Sequence, residues 1–515
     1  MPFMDYTAQR NPLSIIELLY DGCQEQSVDL DISLPDYCPD IQKILKCQVY
    51  PRILDRTLAG DHIEVSGTYT VKILYLDAVN GTIRCCESGS PFSCVIPMKK
   101  NIERGKIKAF ARVEYINCRA ASSRRLDVHG SFSICVKVYG SADCEAVCSI
   151  VGDDIEQRTL EIPFSRMSAF CVQNFHVEEV LELPGTKPEA ETLLHSSAVV
   201  NMQDYKVIQN KLMVKGDVTL HLLYASPSEE YSLETMEYAI PFTQMLDCDG
   251  ISEEDRSDVR LSVIGTDVQI KNDYSGGKVF FDAQIRLCAD ITAYQNKQTT
   301  IVSDAYSRSY EMALEYQQKN AEELTEIFGD SMMKKVSFPM EQEVSKVIDV
   351  WSELCSVSPS KEENGLILEG KFSICMLAFC SDGKPFYFER LADFQYKRPF
   401  AGDGELRCDV DASIAGLSYR ITGNELEIKA EISVSGSVFS RRSCRMVEAA
   451  HADETKPRER DRSAALILYY AEAGEALWDI ARLYCTSMEA IQRENGLECE
   501  KMDSKGMLLI PMQAN

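Results

Sequence analysis

Internal repetition constrains this chain more than any other feature, because segments repeated in register are built on one supersecondary plan. Three stretches read alike: IEVSGTYTVKILYL from Ile63, LMVKGDVTLHLLYA from Leu212 and LILEGKFSICMLAF from Leu366. Their glycines, Gly67, Gly216 and Gly370, lie 149 and 154 residues apart. In the first copy Ile63, Val65, Tyr69, Val71, Ile73 and Tyr75 share one parity, while Glu64, Ser66, Thr68, Thr70 and Lys72 hold the other. Leu212, Val214, Val218, Leu220, Leu222 and Tyr224 repeat that parity, as do Leu366, Leu368, Phe372, Ile374 and Met376. A period of two predicts a half-buried strand, and the central glycine predicts a bulge or a close backbone approach.

A second alternating run closes each copy, at 126–138, 279–291 and 426–438, behind the turn-like segments ASSRR, DYSGGK and TGNE. These predict hairpins with partner strands at 106–118, 259–271 and 408–420. Upstream, LPDYCPDIQKIL from Leu34 and LPGTKPEAETLL from Leu183 match at Pro35/Pro184 and Pro39/Pro188, again 149 residues apart. The third copy offers FPMEQEVSKVID from Phe338, which keeps Pro339 and loses the second proline. The expected fold is mainly β: three tandem β-sandwich-like repeats over 1–148, 149–300 and 301–448.

Two other segments break the β pattern. YEMALEYQQKNAEELTEIFG from Tyr310 is rich in helix formers and reaches Gly329, which predicts a helix at the start of the third domain. HADETKPRERDRS from His451 has 8 charged residues of 13, which predicts a solvated linker within 449–463. Beyond it, residues 464–515 read as a βααβ unit. A short apolar strand leads to Gly474, Leu477, Ile480, Ala481 and Tyr484 recur at helical spacing, Ser487 caps a second helix, and Met507 to Ile510 close the unit.

Charge and cysteine usage limit the functional classes. With 54 basic and 80 acidic residues the net charge is −26, which argues against sequence-independent nucleic-acid binding and against anionic membranes. No apolar run approaches the roughly 18–20 residues of a membrane span. MPFMDYTAQR lacks the basic flank and apolar core of a secretory signal, so a soluble, intracellular protein with reduced thiols is expected. The 20 cysteines are irregularly spaced with no C-x-x-C; Cys144 and Cys148 come nearest without a second pair, and Cys85 and Cys86 face opposite sides of a strand.

No catalytic set stands out. The six histidines are scattered, and His221 lies on the polar parity of its strand with Lys72 and Cys375 as its repeat equivalents, which reads as a surface position. Ser275-Gly276-Gly277-Lys278 lacks the upstream glycine and following helix of a phosphate loop and reads as a hairpin turn. Asp36, Cys38 and Asp40 read as an exposed turn. A non-enzymatic protein with no cofactor and no metal is expected.

The tail resembles the LysM module on Gly474, Leu477, Trp478, Ile480, Ala481, Asn495, Leu497, Gly506, Leu508, Ile510 and Pro511. Glu475 and Ala476 stand where that family favours Asp-Thr, which removes a capping hydroxyl and a polar groove contact. The repeats resemble SPOCS domains on the Leu34-Pro35…Pro39 lead-in, the Gly67-centred strand and the D-A-Y-S-R-S-Y phrase from Asp304. Three such domains, a linker and a LysM module resemble the SipL-like spore-coat assembly family. That resemblance implies a scaffold in the mother-cell cytosol at the forespore surface, whose LysM module docks on the morphogenetic ATPase of the coat basement layer. The alternative it implies is binding of N-acetylglucosamine-containing peptidoglycan by the same module. The expected contact residues are Gly474, Glu475, Ala476, Leu477, Trp478, Leu483, Ile491 and Asn495.

Overall fold

The computed structural model describes residues 3–36, 38–102, 105–227, 232–353, 355–362, 365–400, 405–458 and 464–512. Nearly all of it is antiparallel strand, and the same arrangement of long ladders recurs along the chain. Arg125–Val151 runs between Thr7–Ser33 and Lys106–Ser122; Phe280–Ser307 runs between Ile155–Glu182 and Arg256–Lys271; Glu425–Pro457 runs between Tyr310–Pro339 and Glu405–Thr422. Each expected hairpin is present in register, with Val113↔Phe132, Val263↔Leu287 and Ile414↔Ile432 as partners.

A second sheet lies opposite each of these. Ile41–Asp77 pairs with Ile83–Ile102; Lys211–Ala225 lies between Thr192–Ile208 and Leu233–Asp247; Gly365–Cys380 pairs with Val344–Trp351, Cys355–Glu362 and Pro385–Pro399. The inward residues of each pair of sheets form one continuous apolar cluster, as sandwich packing requires. Every large apolar residue assigned to the buried parity of the three central strands is buried.

The repeated glycine makes room for an aromatic ring. Gly67, Gly216 and Gly370 stand opposite Phe92, Phe242 and Phe394 on the neighbouring strand. A Cβ at any of them would overlap that ring and the carbonyl oxygen of Arg52, Asn201 or Ser356. The close backbone approach is therefore the form common to all three, and at Gly216 it is joined by a register shift on the other neighbouring strand, between Met202 and Asp204.

The three sandwiches also meet one another. The outer ends of the long ladders pack together through Leu13, Ile15, Ile162, Phe164, Ile301, Ala321 and Met446. At the other end Leu74, Leu76, Leu223, Ala225, Cys375 and Leu377 form a second shared cluster. These residues explain why the central strands lose their alternation at ILYL, LLYA and MLAF: there both faces are buried.

Between the two apolar junctions lies a layer of charge. Equivalent positions on the three hairpins carry Lys106, Asp258 and Arg407, and two residues on Lys108, Arg260 and Asp409. Arg260 holds Asp258 at 2.8 Å, Ser437 donates to Asp258 at 2.6 Å, Lys106 meets Asp290 at 3.2 Å, and Lys108 pairs with Asp409. Burial, then the neighbouring cations Lys106 and Arg260, push the Lys108 amine down to about 6. The copies differ in sign where they meet, so each fits its neighbours and not itself.

Four expectations change. The helix from Tyr310 is a strand, Tyr310–Pro339, paired with Glu425–Pro457 along its length. Its period of two is disguised by register shifts at Glu315/Tyr316 and Leu324/Glu326, and the continuous ladder overrides the propensity of its Glu, Gln and Lys residues. The linker is shorter than 449–463, because the strand continues to Pro457, where Phe3–Asp5 adds to the same sheet; residues 459–463 lie outside the described residues. The counterpart of Leu34 and Leu183 is Met340, two residues beyond Phe338: the backbone N–H of each of these three residues donates to the adjoining hairpin turn at Arg124, Val279 or Asn424. Finally, Cys23 faces Cys135 across a ladder and the two form a disulfide, where reduced thiols were expected; the other described cysteines are free.

Candidate functional site

The carboxy-terminal unit has the expected order: Leu466–Ala471, α1 (Leu477–Leu483), α2 (Met488–Asn495) and Gly506–Pro511, with the two strands antiparallel. α2 starts where the Ser487 side chain accepts from the Ala490 N–H and stops at Gly496 in the left-handed region. At the start of α1, Ala476 offers no side-chain cap. Glu475 does different work there, accepting from the Tyr469 hydroxyl at 2.5 Å and the Glu472 N–H at 3.0 Å.

The unit sits on the outer end of the body and shares a core with it. Tyr306 of the body packs edge-on against Trp478, 4.9 Å between centroids, and donates its hydroxyl to the Thr486 carbonyl at 2.7 Å. Asp304 accepts the Trp478 indole N–H at 2.9 Å and pairs with Arg482. Arg458 reaches the Arg482 carbonyl at 2.8 Å. The D-A-Y-S-R-S-Y phrase is therefore the seat of the terminal unit. Burial pushes the Tyr306 hydroxyl pKa well above its ordinary value.

This seat redistributes the eight expected contact residues. Leu477 and Ile491 are fully buried in the shared core and are removed from any contact surface; Trp478 is 6% exposed and turned to Tyr306. Asn495 is consumed internally: its side chain donates to the Ile491 and Leu509 carbonyls and accepts from the Leu509 N–H, all within 2.8 Å. Gly474, Glu475 and Ala476 line a loop zipped to the loop before the last strand, through Gly474 N–H to Met502 O at 2.7 Å and Leu477 N–H to Glu500 O at 2.9 Å. Leu483 is 67% exposed and stands apart on α1.

What sequence reasoning missed is the outward face of the two-stranded sheet. Leu466, Leu468 and Tyr470 share a parity and stand directly opposite Pro511, Leu509 and Met507. Leu468, Tyr470 and Met507 are 60%, 68% and 54% exposed. The signal was present in LILYYA, which is apolar on both parities although only Ile467, Tyr469 and Ala471 reach the core. A contiguous exposed apolar strip of this kind marks a contact surface.

Other candidates resolve into structural roles. Asp273 accepts the N–H groups of Ser275 and Gly277 at 2.9 and 2.7 Å, so DYSGGK is a filled hairpin turn. Arg124 clamps the lead-in turn through Asp40 at 2.8 Å and the Pro35 and Cys38 carbonyls. Cys144 and Cys148 reach backbone carbonyls of Leu13 and Gln9. Among the described residues there is no group of three or more potential metal ligands.

His221 is a correction. Its strand face is the junction between sandwiches, and its Nε2 lies 3.3 Å from Asp349 of the third. His195, fully buried, lies against Trp351 at 4.7 Å, and burial pushes it down to about 3. Burial raises Asp349 to about 6 against the pull of His221.

The fold and site define a class: a body of packed β-sandwiches carrying a small βααβ module on its outer end. Residues 40–121 and 189–271 match the family model described as SipL, SPOCS domain. The two matched ranges start 149 residues apart, the same offset as Gly67 and Gly216. These two segments are SPOCS domains of the SipL type, which supports a SipL-like protein and suggests a link to sporulation. No curated protein and no solved structure matches it. No helix of the described residues is long and apolar enough to cross a membrane.

Proposed function

We propose that this protein is a non-enzymatic scaffold of endospore coat assembly, divided into three SPOCS-like domains over 1–148, 149–300 and 301–448 and a LysM-like module over 464–515. In this reading it works in the mother-cell cytosol at the forespore surface, where the module docks on the morphogenetic ATPase of the coat basement layer. The observation that carries the reading is the apolar strip of Leu466, Leu468, Tyr470 and Met507, a surface suited to another polypeptide. The module has eight acidic and four basic residues between Leu466 and Met512, so a partner with a basic rim is favoured. Because the module rests on the body through Tyr306 and Asp304, it is presented at a defined angle, which lowers the entropic cost of docking.

Deleting residues 464–515 is expected to abolish co-purification with the ATPase; retained binding contradicts the reading. The alternative, peptidoglycan binding, draws on the exposed loops at Gly474 and Lys501. Against it stands the loss of Trp478 to the seat, since sugar rings stack on free aromatic faces. A pull-down with insoluble peptidoglycan separates the two: saturable capture of the full chain supports the glycan reading.

A further inference from the structure

A cleft of about 400 Å³ lies between the first and second sandwiches, lined among others by Arg52, Arg56 and Phe110 from one and Asn174, Ser262 and Cys288 from the other. Clefts of this size at domain interfaces are where small ligands bind. Its charged lining residues are Arg52 and Arg56 against Asp55, a local positive excess in a chain of net charge −26. The position a Cβ would take on Gly265 lies 3.7 Å from Arg52 Nη1 and 3.4 Å from Arg286 Nε, so two guanidinium groups flank Gly265, next in sequence to the cleft-lining Ile264. Neither has a hydrogen-bonded or ion-paired side-chain partner among the described residues. Burial, and then the like charge of Arg286, depress the Arg52 pKa, and Glu87, Tyr50 and Asp267 offset part of this.

Arg56 adds a third group. It lies 3.5 Å from Asp290, a carboxylate already shared with Lys106, and its Nη2 is buried without a hydrogen bond. Buried polar donors are ordinarily satisfied, and clustered like charges are held together only when something neutralises them. Guanidinium groups in a fork suit phosphate and carboxylate oxygens. The walls are mixed: Asp55, Asn174 and Ser262 are polar, while Ile53, Val172 and Val263 give an apolar patch and Phe110 is 51% exposed.

We propose that this cleft is a binding site for an oxyanion, phosphate or carboxylate, carried on a small apolar body, with Arg52 and Arg286 holding the oxyanion and Phe110 contacting the body. The site is independent of the docking face on the terminal module.

The test is thermal unfolding of the full chain at constant ionic strength in sodium chloride, inorganic phosphate, phenyl phosphate, acetate and benzoate. The expected result is a rise in melting temperature of roughly 2–4 °C over chloride with phenyl phosphate or benzoate, and a smaller one with the matching simple anion. The phosphate and carboxylate arms show which oxyanion is preferred. Arg52→Gln and the more exposed Arg286→Gln should each abolish the rise, while melting in chloride at or above the parent, because a repulsion is relieved. The proposal is overturned by no rise over chloride in any arm, by variants that respond as the parent does, or by both variants melting below the parent in chloride.

Discussion

Trp478 donates its indole N–H to Asp304 Oδ2 at 2.9 Å, across 174 residues of sequence. The bond ties the carboxy-terminal module to a strand of the body and turns its one tryptophan inward. Asp304 is shared further, with Tyr316 at 3.1 Å and with Arg482. Replacing Asp304 with Ala should therefore release the module without unfolding the sandwiches. The expected cost is about 1–3 kcal/mol at the seat, seen as faster proteolysis between residues 458 and 464 with the main unfolding transition unchanged.

The glycine–phenylalanine pairs give a second expectation. Gly216→Ala and Gly370→Ala force a Cβ into a neighbouring carbonyl and a phenyl ring, and each should destabilise by about 1–3 kcal/mol in denaturant titrations. Gly329→Ala, where a Cβ meets nothing within 4 Å and φ is not positive, serves as the control and should be nearly neutral.

The charged layer gives a third. Asp258→Ala leaves Arg260 with its nearest carboxylate gone and Ser437 without an acceptor, and should cost about 3–5 kcal/mol. Replacing Asp258 and Arg260 together by leucine should be far less damaging, since no charge is then stranded. Equal losses from the single and double variants in chemical denaturation would argue against a paired role.

The junction at His195 and Asp349 predicts two opposing pH slopes. His195 is pushed below its unfolded value, to about 3, so the unfolded chain binds the extra proton between about pH 3 and 6.5, and stability rises with pH there. Asp349 is raised to about 6, so the folded chain holds the extra proton between about pH 4 and 6, and stability falls with pH there. The two slopes largely cancel in the parent. Asp349→Asn removes one of them, so its stability should climb more steeply from pH 4 to 6 than the parent's, by up to about 1.4 kcal/mol per pH unit. Parallel profiles from denaturant melts would count against this.

How far the sequence foretold the structure depended on which side of each strand carried the signal. The inward faces of the central strands and the three hairpins were legible because one solvated face leaves a clean period of two. The second buried face was not: Lys72, His221 and Cys375 look like surface positions, yet they border the junction of three sandwiches, a long-range contact no local pattern encodes. The strand from Tyr310 was hidden by bulges that shift its parity. In the terminal module Leu477 stood at helical spacing, yet it was expected at the contact surface with Trp478 and Ile491; all three are in the core, because spacing alone does not say which face is covered by another part of the chain. Hence the seat at Tyr306 and the exposed strip beside it emerged only from the packing.

The most direct test of the docking role is the affinity of the full-length chain for the basement-layer ATPase, measured for the parent and for Leu468→Glu and Tyr470→Ser. Both positions are exposed, so both variants should melt as the parent does. A loss of affinity of about 30-fold or more from either one is the predicted result. Unchanged affinity in both, with the variants folded, would contradict a docking role for this face.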